Sequence, residues 1–248
     1  MATFGTAVFL EPFRANEFHR RISGAFDTKT CWVQPMKLAL LSESPADEAA
    51  LRVLVEAVLG SSFTLVQSSL RARGWPSVEQ VLPPILRYLH FNTDADGLVV
   101  VVDSDDSPVH AIEHEAPGYY HPYCRICRLR SVFRRVLKNL PPAHGRDRVL
   151  RAVGLAIPAV EAWYLCGRDH SVTEEAWAKG QSTGLMPYSR RELKWRVYGT
   201  ERPTLALETE RALEEVARHK GDMRRLENDF PQGFGSLARD LRSWRRRE

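Results

Sequence analysis

The chain has 248 residues, 44% hydrophobic and 27% charged, with a net charge of +4; this excludes a disordered or collagen-like polymer and leaves one large domain or a domain with an appendage. No run approaches the roughly 18 apolar residues of a membrane span, and residues 1–13 lack the basic start and long apolar stretch of a signal peptide, so a cytoplasmic protein with no membrane partner is expected. Four cysteines (Cys31, Cys124, Cys127 and Cys166) are too scattered for a disulfide framework, which agrees.

Residues 1–36 show no clear period and read as an N-terminal extension. Lys37-Leu38-Ala39-Leu40-Leu41 reads as a strand running into Ser42-Glu43-Ser44-Pro45-Ala46-Asp47. Ser44 suits a helix N-cap, Pro45 the first helical position and Asp47 the acid of a capping box. Leu51, Leu54, Val55, Val58 and Leu59 follow at helical spacing, and Gly60 ends the helix. This βα unit places Glu43 at the carboxyl end of its strand.

Residues 62–66 suit a second strand. Val78, Val81, Leu82, Ile85, Leu86 and Leu89 form a helical stripe that Pro83-Pro84 should kink or begin. Gly97-Leu98-Val99-Val100-Val101-Val102-Asp103 is a short apolar run, as expected of a strand buried on both faces at the centre of a parallel sheet. Continued as extended chain, it would point Asp103 and Asp105 the same way, two oxygen ligands suited to a divalent cation. After a loop rich in His and Pro, Ile126, Leu129, Phe133, Val136 and Leu140 mark an amphipathic helix whose polar face should carry Arg125, Arg128, Arg134, Arg135 and Lys138. Residues 149–157 read as a further strand, with Pro158 opening the next helix and Glu161 in its first turn. From residue 167 the pattern is helical and more polar, and residues 245–247 should fray. The expected class is α/β: a mostly parallel sheet flanked by helices over residues 37–166, with a helical C-terminal region over 167–248.

Charge is unevenly spread. Residues 94–115 hold seven carboxylates and no Lys or Arg, whereas residues 123–151 hold nine Lys or Arg and one acid. An acidic cradle followed by a basic segment suits a metal site that holds a polyanion; a solvated helix face explains the basic run equally well. The first candidate site is Glu43, Asp103 and Asp105, with Asp47, Asp106 and Glu161 as further acids. Like charges converging on one sheet edge call for a cation. The second is His121, Cys124 and Cys127, a zinc half-site with His110 and His114 upstream; two small buried cysteines one helical turn apart is the plainer alternative. Arg190, Arg191, Lys194 and Arg196 around Trp195 and Tyr198 could contact phosphate and base, or simply form an exposed helix face.

The acid after the Leu38–Leu41 strand, with Val-Val-Val-Val-Asp-Ser-Asp about sixty residues on, resembles the topoisomerase–primase (Toprim) family. Within it, the chain is most similar to small Toprim-like proteins related to the overcoming-lysogenization-defect nucleases. Asp47, four residues after Glu43, and Ile157-Pro158-Ala159-Val160-Glu161-Ala162-Trp163 match their pattern, over roughly residues 37–240. The family places Gly directly after its Glu, and here Ser44 stands there. The resemblance implies a Mg²⁺- or Mn²⁺-dependent nuclease with Glu43, Asp103 and Asp105 catalytic, Asp47 and Glu161 as further metal ligands, and DNA or RNA held by the basic helix and Lys194. It also implies bacterial antiphage defence beside an ATPase partner protein, and leaves a homo-oligomer open. The alternatives are a catalytically silent Toprim-like binding or regulatory subunit and, among enzymes, a phosphatase of the haloacid-dehalogenase type, which also ends an apolar strand in Asp-x-Asp.

Overall fold

The computed structural model describes residues 35–146 and 148–244. The expected N-terminal extension, apart from residues 35–36, lies outside them, as do Cys31 and the basic residues 245–247.

Four strands, β1 (Lys37–Leu41), β2 (Thr64–Leu65), β3 (Gly97–Asp103) and β4 (Leu150–Ala156), form an all-parallel sheet in the order β2-β1-β3-β4. All seven residues of β3 are buried, as the continuous apolar run requires of a strand covered on both faces. Leu38 to Leu41 pair with Gly97 to Val100, and Asp103 lies opposite Ala156. This register leaves the end of β3 projecting past β1, level with the chain that carries Glu43.

Helix α1 (Pro45–Leu59) begins as its sequence dictates: Ser44 Oγ accepts the Asp47 N–H at 3.2 Å, and Gly60 closes the helix at φ +63°. Helix α2 (Trp75–Asn92) does not begin at Pro83-Pro84, the second of the two roles expected of them: Pro76 supplies the first turn and Pro83-Pro84 lie inside. The missing N–H groups there are offset by the fully buried stripe Val78, Leu82, Ile85, Leu86 and Leu89. Helices α3 (Arg125–Lys138) and α4 (Val160–Leu165) follow β3 and β4. Pro158 does not open α4: Ala159 is the N-cap, and the Pro158 carbonyl accepts the N–H groups of Ser104 and Asp105 at 3.0 and 2.9 Å.

Five further helices complete the described chain: α5 (Glu174–Thr183), α6 (Arg190–Tyr198), α7 (Leu205–His219), α8 (Met223–Asp229) and α9 (Phe234–Trp244). Helix α7 packs on α1, and α9 packs on β4. The segment entering α9 runs so close to β4 that a Cβ on Gly233 would stand 2.3 Å from the Leu155 carbonyl oxygen. Asp240 then accepts the Val153 N–H at 3.1 Å, and the Trp244 indole donates to the Arg151 carbonyl at 3.1 Å. The β4 edge of the sheet is thereby capped by side chains of α9. No helix among the described residues is long and apolar enough to cross a membrane.

Candidate functional site

At the carboxyl edge of the sheet, where open α/β folds hold ligands, β1, β3 and β4 bring their acids together. Every polar group of Asp103 is engaged. Its N–H donates to Glu43 Oε1 at 3.0 Å and its carbonyl accepts from Arg125. Its Oδ1 accepts the Val160 N–H at 3.0 Å, and its Oδ2 accepts from Arg190 at 2.6 Å. Asp105 is reached differently from the sequence expectation. The strand ends at Asp103, and Asp105 turns back at φ +47°, the left-handed conformation that aspartate tolerates better than most residues. A turn, and not strand alternation, aims it at the same place. Its Oδ2 accepts from Arg125 at 2.6 Å, and its Oδ1 pairs with Arg190.

Arg125 is therefore no member of a solvated helix face. As the first residue of α3 it is buried, lies 4.9 Å over the Trp75 ring, and stands 3.6 Å from Glu43 Oε1. Arg190, from the start of α6, is a site member that its place in a basic run does not signal: the sequence groups it in a patch with Arg191, Lys194 and Arg196. That patch does not form as expected. Tyr198 is buried, and although Arg191, Trp195 and Arg196 are exposed, Arg191 and Arg196 are paired with Glu201 and Asp169.

Asp47 and Glu161 join the cluster. Burial, then the Glu161 charge, pushes the Asp47 carboxyl up to about 7. Asp103 is raised well above the usual carboxylate range by burial and then Glu161, with Arg190 opposing. Glu161 is raised by burial, while its own backbone N–H and the Lys194 ammonium pull the other way. Lys194 thus sits within the field of the acids. The Tyr164 hydroxyl, raised by burial and then by Asp47, is buried with no hydrogen-bond partner. Asp47 therefore does more than cap α1: its N–H completes half of a capping box while its carboxyl belongs to the cluster.

Five carboxylates (Glu43, Asp47, Asp103, Asp105 and Glu161), with Glu208 of α7 adding its field at Asp47 and Glu161, face three cations. The donors are hard oxygens, the type that Mg²⁺ or Mn²⁺ takes, and an orphaned hydroxyl lies among them. Among the described residues, however, the one His, Cys, Asp or Glu group whose ligand atoms already stand at metal-binding distance is His110, His114, Cys124 and Cys127. Ser44 is extended at φ −146°, a conformation any residue adopts.

The other basic candidates lie apart. Arg128 forms a two-pronged ion pair with Glu79 and lies over Trp75. Arg134, Arg135 and Lys138 are exposed, but α3 runs back along the sheet and carries Arg134 and Lys138 about 13 and 20 Å from Arg125. Arg134 and Lys138 line a groove of about 1080 Å³ with Arg146, Arg148 and Arg151, at the end of the sheet where β4 begins.

On the other side of the first turn of α3, His110, His114, Cys124 and Cys127 present ligand atoms that all lie within 4.8 Å of one another. His121, expected as the third ligand, is outside this group. Its ring stacks on His114 at 4.8 Å, and its Nδ1 accepts the Tyr123 N–H at 3.3 Å. Proximity in sequence favoured His121; the loop after β3 instead folds His110 back onto the cysteines. Burial pushes the Cys124 thiol up to about 12 and holds His110 below the usual imidazole range.

No protein-family model, curated protein or solved structure matches the chain.

Proposed function

We propose that the protein is a Mg²⁺- or Mn²⁺-dependent phosphodiester hydrolase acting on nucleic acid, of Toprim-like type. The observation that carries this reading is the convergence of Glu43, Asp47, Asp103 and Glu161 on one sheet edge, where burial and neighbouring carboxylates raise the carboxyls of Asp47, Asp103 and Glu161. These four residues would hold the metal, which when bound polarises a phosphoryl oxygen and lowers the pKa of water. Glu43 is fixed by the Asp103 N–H through one oxygen and keeps the other to exchange a proton. Arg190 is the half-exposed cation of the site, able to leave Asp103 for a phosphate, whereas Arg125 is buried against the Trp75 ring. A strand of nucleic acid that also met Arg134, Arg135 and Lys138 would run along α3 for on the order of 4–6 nucleotides.

The test is cleavage of single- and double-stranded DNA and RNA with Mg²⁺ or Mn²⁺, comparing wild type with Asp103→Asn and Glu43→Gln. Expected is metal-dependent cleavage that falls by roughly 10³-fold or more in Asp103→Asn and 10²–10⁴-fold in Glu43→Gln. Equal activity in all three rejects the assignment. Release of phosphate from monoesters with no cleavage of polymers would instead favour the phosphatase alternative.

A second reading has its own support: arginines hold both oxygens of Asp105 and one of Asp103, as a catalytically silent binding or regulatory subunit would require. Its signature is stabilisation by Mg²⁺ without turnover of any nucleic acid. The cytoplasmic location, the antiphage role and the ATPase partner belong to the same proposal. An ATPase that co-purifies with the tagged chain from its native host supports the last of these.

A further inference from the structure

We infer that His110, His114, Cys124 and Cys127 form a structural zinc site that fastens the loop after β3 to the first turn of α3. The proposal is independent of the hydrolase reading, because none of its ligands belongs to the carboxylate cluster.

Distances carry the argument first. Zn–S bonds of about 2.3 Å and Zn–N bonds of about 2.0–2.1 Å give a ligand tetrahedron with edges of roughly 3.3–3.8 Å. His110 Nδ1 lies 3.3 Å from Cys124 Sγ and 3.8 Å from Cys127 Sγ, and all four donors fall within 4.8 Å. The set already has the size of a zinc shell before any ion draws it in.

The surroundings are those a zinc ligand needs. His110 turns its Nε2 to Glu115 Oε1 at 2.9 Å, which fixes the ring and leaves Nδ1 for the metal. Glu115 is gripped by Arg130, whose other nitrogen donates to Ser236 Oγ of α9 at 2.9 Å. His114 is held between Tyr119 and His121, with ring centroids at 5.4 and 4.8 Å, and its Nδ1 is buried with no hydrogen-bond partner. A buried imidazole nitrogen without a partner is costly unless something coordinates it.

The donor chemistry selects the ion. Two thiolates and two imidazoles suit zinc and exclude Mg²⁺ or Ca²⁺. Four protein ligands close the tetrahedron, so the site is structural and has no open position for water or substrate. Disulfide exchange is a poor alternative, since Cys124 and Cys127 are 0% and 7% exposed. A cavity of about 430 Å³, lined by His110, His114, Cys127 and Arg130, opens beside the cluster and gives an ion its way in. Cys124 directly precedes Arg125, so the ion would also set where the buried guanidinium meets Asp103 and Asp105.

The test measures metal content of the full chain, purified without a polyhistidine tag or chelator from zinc-supplemented cells. About one zinc per chain is expected, falling below roughly 0.2 in Cys127→Ser and in His114→Ala while His121→Ala keeps its zinc. Co²⁺ exchanged into wild type should give the intense visible bands of a tetrahedral thiolate site together with near-ultraviolet sulfur charge transfer. Should the ligand variants fail to fold, the Co²⁺ spectrum of wild type carries the test alone. Wild type with neither zinc nor that spectrum overturns the proposal, as does full zinc content in a folded Cys124→Ser/Cys127→Ser variant.

Discussion

Cys124 and Arg125 are chain neighbours that face opposite chemistries. Arg125 enters a cluster of carboxylates that brings its own cations: Arg190 arrives from 65 residues further on, and Lys194 a turn later in the same helix. Cys124 enters a cluster of neutral soft donors with no cation among them, whose neighbouring charges, Glu115 and Arg130, already neutralise each other. The first cluster has guanidinium partners for part of its charge, so a metal held there would be exchangeable. The second has no such partner, and on the zinc proposal its cohesion would come from the ion. Two metal-type sites one residue apart would thus serve different ends, one exchangeable and one fixed.

The largest effect that would break this contrast comes from removing the internal cation. Arg125→Ala leaves Glu43 and Asp105 facing each other without their guanidinium and strips Trp75 of its partner. A loss of roughly 3–5 kcal/mol in urea unfolding is expected, partly restored by millimolar Mg²⁺. A loss under about 1 kcal/mol with no response to Mg²⁺ would mean that the carboxylates do not rely on Arg125. Next in size, Glu115→Gln weakens the support of His110, and zinc affinity should fall about 10–100-fold in competition with a chromogenic chelator while cleavage assays at saturating zinc stay unchanged.

A pH effect sharpens the carboxylate side. The folded-state pKa of Asp47, about 7, lies above its ordinary value of 3.8. Between those values the folded chain holds a proton that the unfolded chain has lost, so this group's contribution to stability is full below about pH 4 and fades as pH rises through 7. Relative to wild type, Asp47→Asn should gain roughly 1–3 kcal/mol between pH 4 and 8, partial exposure having reduced the full value of the shift. Equal pH profiles of thermal unfolding would remove Asp47 from the cluster. Smallest of all, Lys138→Ala should change stability by under about 0.5 kcal/mol, and should lower the salt slope of any nucleic-acid binding by about one.

Much of the scaffold could be read from local chemistry. Ser44, Pro45 and Gly60 bracket α1 as capping rules require, and the unbroken apolar run of β3 marked a strand covered on both faces. Glu43 and Asp103 could be paired because both follow apolar strands, and adjacency of parallel strands does the rest. What could not be read depended on the return of distant chain. Arg125 has the spacing of a polar-face residue, and only the approach of Trp75 and Glu43 turns it inward. Arg190 carried no signal beyond membership of a basic run. His110 lost to His121 because sequence distance, three residues against fourteen, is a poor guide in a loop that doubles back. Asp105 converged on the site as expected, but through a left-handed turn that alternation along a strand does not describe.

The capped edge of β4 bears on how copies of this chain can meet. An open parallel edge invites a second sheet to continue the ladder, which is the simplest route to a dimer and to runaway polymerisation. Here the Val153 amide and Arg151 carbonyl are already spoken for by Asp240 and Trp244, and the glycine at 233 leaves no gap beside Leu155. Sheet continuation through β4 would first have to peel α9 from the body, so any self-association across that side must be built from helix surfaces.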